Sequence, residues 1–360
     1  GTYSYEGSNS IQIRDNSGTA SSFYHTSSYN VSGFSELEID FHFIAISMDN
    51  TSEDFWVQYY DGSSWYTIAT FARGIDFDNG AFGLPSDNGT GMSLALIAAL
   101  PFLGALLPGL MIRSGRNVCA SVTFAITALA LIGLFLNAPA VMRGEVITEH
   151  YEWLPTLGLN VNFMLDGLGF LFALMILGIG LLIILYARFY LSKSDPMGNF
   201  YTYLLLFQDA MVGIVLSDNI LLLLIFWELT SLSSFLLIGY WRHLPEGRQG
   251  ARMALTVTGM GGLAMIGGML ILGNIAGSYD ISVILTQGEA IRSHDLYVPA
   301  LVLILLGAFT KSAQFPFHFW LPHAMAAPTP VSAYLHSATM VKAGLFLMAR
   351  LWPVLSGTPE

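Results

Sequence analysis

From Met92 onward the chain is written in long apolar runs, and before it in short alternations of apolar and polar residues. Runs of about 20 apolar residues suit helices that cross roughly 30 Å of hydrocarbon. Eight such spans are predicted, at about 92–112, 117–137, 165–187, 199–217, 219–241, 251–274, 298–320 and 328–351. In the first ninety residues the period changes to two. Leu37, Ile39, Phe41 and Phe43 alternate with Glu38, Asp40 and His42, which buries one strand face and wets the other. Phe55 to Tyr60 and Trp65 to Phe71 flank Asp61-Gly62-Ser63-Ser64, a hairpin signal. The expected fold class is a mainly α membrane protein of about eight transmembrane helices, one of them discontinuous, preceded by a partial antiparallel β-sandwich segment.

Charge sharpens this division. Residues 1–91 hold twelve acidic side chains against two basic ones, Arg14 and Arg73, so the net charge of -11 belongs almost entirely to them. The remainder, with thirteen acids and twelve bases, is nearly neutral. Basic residues in short loops give an orientation. Arg113, Arg116, Arg188, Lys193, Arg242, Arg248 and Arg252 follow spans one, three and five, while only Arg143 and Arg292 follow spans two, four and six. That asymmetry predicts a multi-pass protein with the odd loops in the cytoplasm and the N-terminal part outside. The single cysteine, Cys119, excludes a disulfide framework within the chain and cysteine-ligated clusters. With no Walker loop or dinucleotide glycine fingerprint, no cofactor and no nucleic-acid partner are expected. The sequence opens on Gly1 with no secretory signal, so an upstream segment is expected.

An ion at the centre of a bilayer costs at least about 2.5 to 3.5 kcal/mol, which makes buried charges the first candidates for function. Of three lysines, Lys311 and Lys342 lie within apolar spans, and so does Glu228. Thr230, Ser231, Ser233 and Ser234 follow Glu228 within a turn or so and can hydrogen-bond its carboxylate. Pro316, Pro322, Pro328 and Pro330 predict that the seventh span breaks just after Lys311, which places that lysine to gain and lose a proton. A carboxylate that approaches or retreats would switch it between the two states. His336 lies six residues before Lys342, about 120° away around a regular helix, and can relay protons between the two lysines through water. His318 and His323 flank the break and could do the same. For each histidine a hydrogen-bonded interior role is the competing reading.

Two aspartates need weighing. Asp166 opens the third span and reads as a helix cap. Asp209, mid-span beside Gln208, is either an additional proton site or a departure peculiar to this sequence. The glycines of GMGGLAMIGGMLILG fit close helix packing. Outside the spans, Asp76, Asp78 and Asn79 in GIDFDNG could ligate calcium, though a solvated acidic turn is the simpler reading.

The text FWELTSLSSFLLIGYW together with TKSAQFPFHFWLPHAMAAPTPVSAYLHSATMVKAG resembles the A-type subunit of Mrp-type multisubunit cation/proton antiporters. It is also similar to the large antiporter-like subunit of respiratory NADH:quinone oxidoreductase. Lys342 in HSATMVKAG, SDN at 217–219 and YARFYLS at 186–192 favour the antiporter. The resemblance covers residues 92–360 and implies inverted five-helix repeats, the first at about 199–351, with a second repeat missing after the chain ends. It implies that Glu228 and Lys311 form an ion pair, that His336 and Lys342 continue the proton path, and that the partners are other antiporter subunits, monovalent cations, protons and the lipid bilayer. A secondary transporter is expected rather than an enzyme. Residues 1–83 resemble a truncated β-sandwich repeat of secreted bacterial proteins, so 84–91 reads as a linker or a chimeric junction and Met92 as a native start. The alternatives are a proton-pumping respiratory subunit and a membrane-anchored adhesin or glycan-binding module. The second would leave Glu228, Lys311 and Lys342 without a purpose.

Overall fold

In the computed structural model the described residues are 54–60, 65–72 and 91–356. The chain divides into two compact units, Gly1–Asn88 and Gly89–Glu360. In the first, β1 (Asp54–Tyr60) pairs antiparallel with β2 (Trp65–Ala72), Tyr60 opposite Trp65 and Asp54 opposite Ala72, with an irregularity at Val57/Gln58. This is the hairpin expected from the two runs that flank Asp61-Gly62-Ser63-Ser64. The predicted strand at 37–43 and the calcium candidates Asp76, Asp78 and Asn79 lie outside the described residues.

The second unit is helical. It begins with α1 (Leu94–Gly104) and α2 (Leu107–Met111), then α3 (Arg116–Leu136) and the short α4 (Ala138–Met142). β3 (Ile147–Glu149) and β4 (Phe163–Leu165) form a small antiparallel pair before α5 (Gly167–Tyr190), α6 (Met197–Leu216), α7 (Ile220–Ile238) and α8 (Pro245–Ala276). Among the described residues six stretches are long and apolar enough to cross a bilayer: 94–114, counted across α1 and α2, then α3, α5, α6, α7 and α8. They match the first six predicted spans.

The seventh span breaks just after Lys311, as expected, and the eighth is interrupted as well, which was not expected. After α9 (Ile281–Leu285) and α10 (Gly288–Arg292), α11 (Tyr297–Lys311) has only fifteen residues. It stops because Ala313 takes a left-handed conformation (φ 50°), while Gln314 N–H bonds Phe309 O at 2.9 Å and Ala313 N–H bonds Thr310 O at 3.3 Å. That pair of bonds is the Schellman helix stop, here with alanine where glycine is usual. Pro316, unable to donate to the carbonyl four residues back, agrees with it. The chain then runs through α12 (Trp320–Ala324) to a broken eighth segment. This comprises α13 (Thr329–Ala333), a π turn over Tyr334–Ala338, a 3-10 turn over Met340–Lys342 and α14 (Ala343–Arg350), followed by α15 (Trp352–Leu355).

Side-chain contacts sort the loops to two ends of the bundle. Arg116 donates to Leu191 O and Ser192 O, Arg188 to Asn117, and Trp241 Nε1 to Asp195 Oδ1, so the loops after α2, α5 and α7 meet at one end. These are the loops rich in arginine and lysine. At the other end, the bridges Phe163–Ser217 and Asn219–Asp280 join the loops after α3, α6 and α8. There the Glu149 carboxylate also accepts from Leu94 N at 2.7 Å and Ala95 N at 3.0 Å, capping the exposed N–H groups that start α1.

Candidate functional site

Lys311 is the last residue of α11 and has no solvent exposure. Its ammonium donates to α7: to Trp227 O at 3.2 Å, Thr230 Oγ1 at 2.9 Å and Ser231 Oγ at 2.6 Å. The Trp227 ring lies below, 5.2 Å from the nitrogen to its centroid, where its π face attracts a cation. The three acceptors share one face because they are spaced three and four residues apart along a helix.

Glu228 does not take the place expected of it. Among the described residues no ion pair joins it to Lys311 within 4.0 Å, although their charges interact. The hydroxyls expected on its carboxylate are elsewhere: Thr230 and Ser231 hold Lys311, Ser233 bonds Leu229 O and Ser234 bonds Ser231 O. The reason is angular. Glu228 is one residue beyond Trp227, so it leaves the helix about 100° away from the face that meets α11. It points instead at α8, where a Cβ on Gly262 would come within 1.9 Å of Oε1. Gly261 does the same for Thr310, whose Oγ1 would be 1.8 Å from an added Cβ. The two glycines thus let α8 close over α7 and α11 at the level of the two charges, as expected of packing glycines. Glu228 Oε1 is buried and accepts no hydrogen bond among the described residues.

The separation of 120° expected between His336 and Lys342 fails because the segment joining them is not a regular helix. His336 sits in the π turn, where Thr339 N–H reaches back five residues to Tyr334 O at 3.0 Å and the Thr339 hydroxyl bonds the same carbonyl at 2.7 Å. Thr339 itself is off helical geometry (φ -130°, ψ -72°), and Lys342 closes the 3-10 turn that starts α14. Single π turns are frequent at functional sites. Both ring nitrogens of His336 are buried without a hydrogen-bond partner among the described residues. Its ring meets the edge of Trp320, centroids 6.1 Å apart, and Trp320 Nε1 donates to Thr310 O, the carbonyl before Lys311. Lys342 is half-buried two residues before Gly344, where α14 lies so close to α11 that a Cβ would be 2.2 Å from Ser312 Oγ. His318 and His323 are exposed in the break, His318 stacked on Phe315. The break faces the basic end of the bundle: His323 O abuts Gly250 near the start of α8, and Thr329 bonds Tyr190 at the end of α5.

Asp209 stands apart from this cluster. It is 4% exposed and makes no hydrogen bond among the described residues. Its neighbour Gln208 is the connected one, bonding Thr127 at 2.7 Å and Tyr334 Oη at 3.4 Å, with Tyr334 donating to Ile176 O. At the opposite end from the break, Asp218 is fully buried and hydrogen-bonded through both oxygens: Ser282 N donates to Oδ1 at 2.8 Å and Ser282 Oγ to Oδ2 at 2.9 Å. Burial nevertheless pushes its carboxyl up to about 6, against the pull of the Ser282 bonds. Asn219 caps α7 through Leu221 N and Leu222 N, and its amide holds Gly158 O and Asp280.

Residues 217–359 match the membrane family described as NADH:quinone oxidoreductase/Mrp antiporter, and residues 153–201 match the N-terminal region described as NADH-ubiquinone oxidoreductase (complex I) chain 5. The matched part of the chain belongs to this family. The membrane-family match takes in Glu228, Lys311, His336 and Lys342. A probable K(+)/H(+) antiporter A/B-type subunit of Rhizobium meliloti is 53% identical over 268 residues, 74% of this chain and 26% of that protein. A Na(+)/H(+) antiporter A-type subunit of Alkalihalophilus pseudofirmus is 49% identical over 262 residues, 72% of this chain and 32% of that protein. The structure of the Mrp complex from Dietzia sp. superposes with a TM-score of 0.68 at 36% identity, over 74% of this chain and 29% of that one. The chain thus spans about a quarter to a third of the length of these relatives.

The family match over residues 217–359 and the six long apolar stretches make this a multi-pass membrane protein. Three contacts of its fold escaped the sequence. Asp166 caps α5 through Gly169 N at 2.8 Å, as expected, but it is also paired twice with Arg350, 4% exposed at the end of α14. Arg350 stood at the edge of an apolar span and could have been found by the rule that singled out Lys311. The Gln208–Tyr334 link and the Trp320–Thr310 bond carry no sequence signal, since they join helices far apart in the chain.

Proposed function

We propose that this chain is the proton-handling portion of a membrane subunit in a multisubunit monovalent-cation/proton antiporter driven by the proton-motive force. The observation that carries the proposal is Lys311: a fully buried ammonium at a helix break, held by hydroxyls on α7 beside the unsatisfied carboxylate of Glu228. A charge kept in so dry a place is costly for a merely structural role. Protons enter at the break past His318 and His323, are held by Lys311 under the influence of Glu228, and pass by His336 toward Lys342. Asp209 serves as a further proton-binding position off the main line. The basic end of the bundle faces the cytoplasm of a bacterial inner membrane, with residues 1–91 outside, and the partners are the other subunits of the antiporter. Relatives named for sodium and for potassium support a monovalent cation.

The test is Lys311→Ala in the full-length protein, in complex with its partners, assayed in everted vesicles for proton flux driven by sodium or potassium. The variant should insert normally and lose the flux. Retained exchange would remove Lys311 as proton carrier, and flux that follows NADH oxidation rather than the cation would favour the respiratory pump.

A further inference from the structure

The polar face of α7 serves the lysine rather than the glutamate, and its hydroxyls are not equivalent. A protonated amine has three N–H donors, and Trp227 O, Thr230 Oγ1 and Ser231 Oγ accept all three. The Thr230 hydroxyl proton is already committed, donating to Trp227 O at 2.6 Å, so Thr230 can only accept from Lys311. Ser233 and Ser234 spend theirs on Leu229 O and Ser231 O. The Ser231 hydroxyl, 1% exposed, has no acceptor for its own proton among the described residues.

We propose that Thr230 and Ser231 form a dock that holds the Lys311 ammonium on the α11 side of α7, apart from Glu228, and that the Ser231 hydroxyl turns to donate to the amine once it has lost its proton. The idea rests on the reading of Lys311 as proton carrier. A neutral amine keeps two N–H donors and gains a lone pair that needs a donor. Trp227 O and Thr230 remain acceptors for the first two, and Ser231 alone can supply the third bond. The proton that leaves Nζ goes to water, and Ser231 keeps its own, merely redirecting it. Both states of Lys311 are then fully hydrogen-bonded with the backbone unmoved, so the proton can come and go without unfolding the break.

The experiment compares Ser231→Ala, Ser231→Thr, Thr230→Val and Thr230→Ser with Lys311→Ala in the full-length protein within the assembled antiporter, reading exchange rate, cation KM and membrane level. Loss of one hydrogen bond to a charged group predicts exchange about tenfold slower for Ser231→Ala. Its cation KM should be unchanged, Thr230→Val should be slowed less, and the Thr and Ser replacements should be restored near wild type. Restoration must follow the hydroxyl rather than side-chain volume. If Ser231→Ala does not insert, Thr230→Val against Thr230→Ser decides by the same criterion. Wild-type rates in both hydroxyl deletions, or a Ser231→Thr as slow as Ser231→Ala, would overturn the dock while leaving Lys311 in its role if Lys311→Ala is inactive. Exchange surviving Lys311→Ala would overturn both.

Discussion

Asp209 lies in the middle of α6 and Asp218 two residues beyond its end, both removed from solvent, and the structure treats them in opposite ways. Asp218 has each oxygen on a Ser282 donor, and the loops around it are tied by Asn162, Asn219 and Asp280. Asp209 has no hydrogen bond among the described residues, and in the middle of the bundle Glu228 Oε1, Ser312 Oγ and both His336 nitrogens share that condition. Buried polar groups are normally satisfied, and each exception calls for a reason. The loop end is therefore built to hold the helices in register. The middle keeps polar groups with spare hydrogen-bonding capacity, as a proton path requires.

The comparison predicts different losses in the two regions. Arg350→Ala leaves the partly buried Asp166 uncompensated, and breaking such a pair should cost about 3 kcal/mol of stability. In detergent-solubilised protein the variant should melt well below wild type, with transport falling only as far as folded protein does. An unchanged melting temperature would break the contrast at its strongest point.

Asp218 gives a smaller, pH-dependent effect. Its folded pKa of about 6 lies above its ordinary value of 3.8, so the folded state binds the proton more tightly than the unfolded state. This contribution is present below about pH 4 and is lost as pH rises through about 6, on the order of 2 kcal/mol of it between pH 4.5 and 7. Asp218→Asn keeps an acceptor for Ser282 N and should flatten the dependence of melting temperature on pH between 4.5 and 7. A slope unchanged in the variant would assign the effect to another group.

How far the sequence reaches depends on the range of the interaction. The six long apolar stretches follow from apolar runs, and the break after Lys311 from Pro316 and the prolines that follow it, because these are local signals. The Asp166 cap is local too. The partners of Lys311 are not: apolar spacing says that Thr230 and Ser231 lie near Glu228 in sequence, but which helix each faces is set by how α7 packs between α8 and α11. The π turn at Tyr334–Ala338 escapes for a related reason. It replaces one helical bond by another of longer reach, which leaves the hydropathy pattern unchanged.

Glu228 decides whether the unsatisfied middle of the bundle is functional. The most direct measurement sets Glu228→Gln beside Glu228→Asp in one preparation of assembled antiporter, recording cation-driven proton flux and melting temperature together. Gln removes the charge while keeping the shape, so flux should be lost with melting no lower than wild type, and Asp should retain part of the flux. A Glu228→Gln variant that exchanges normally, or one whose loss of flux merely tracks a lower melting temperature, would contradict the account and leave Glu228 a helix-packing residue.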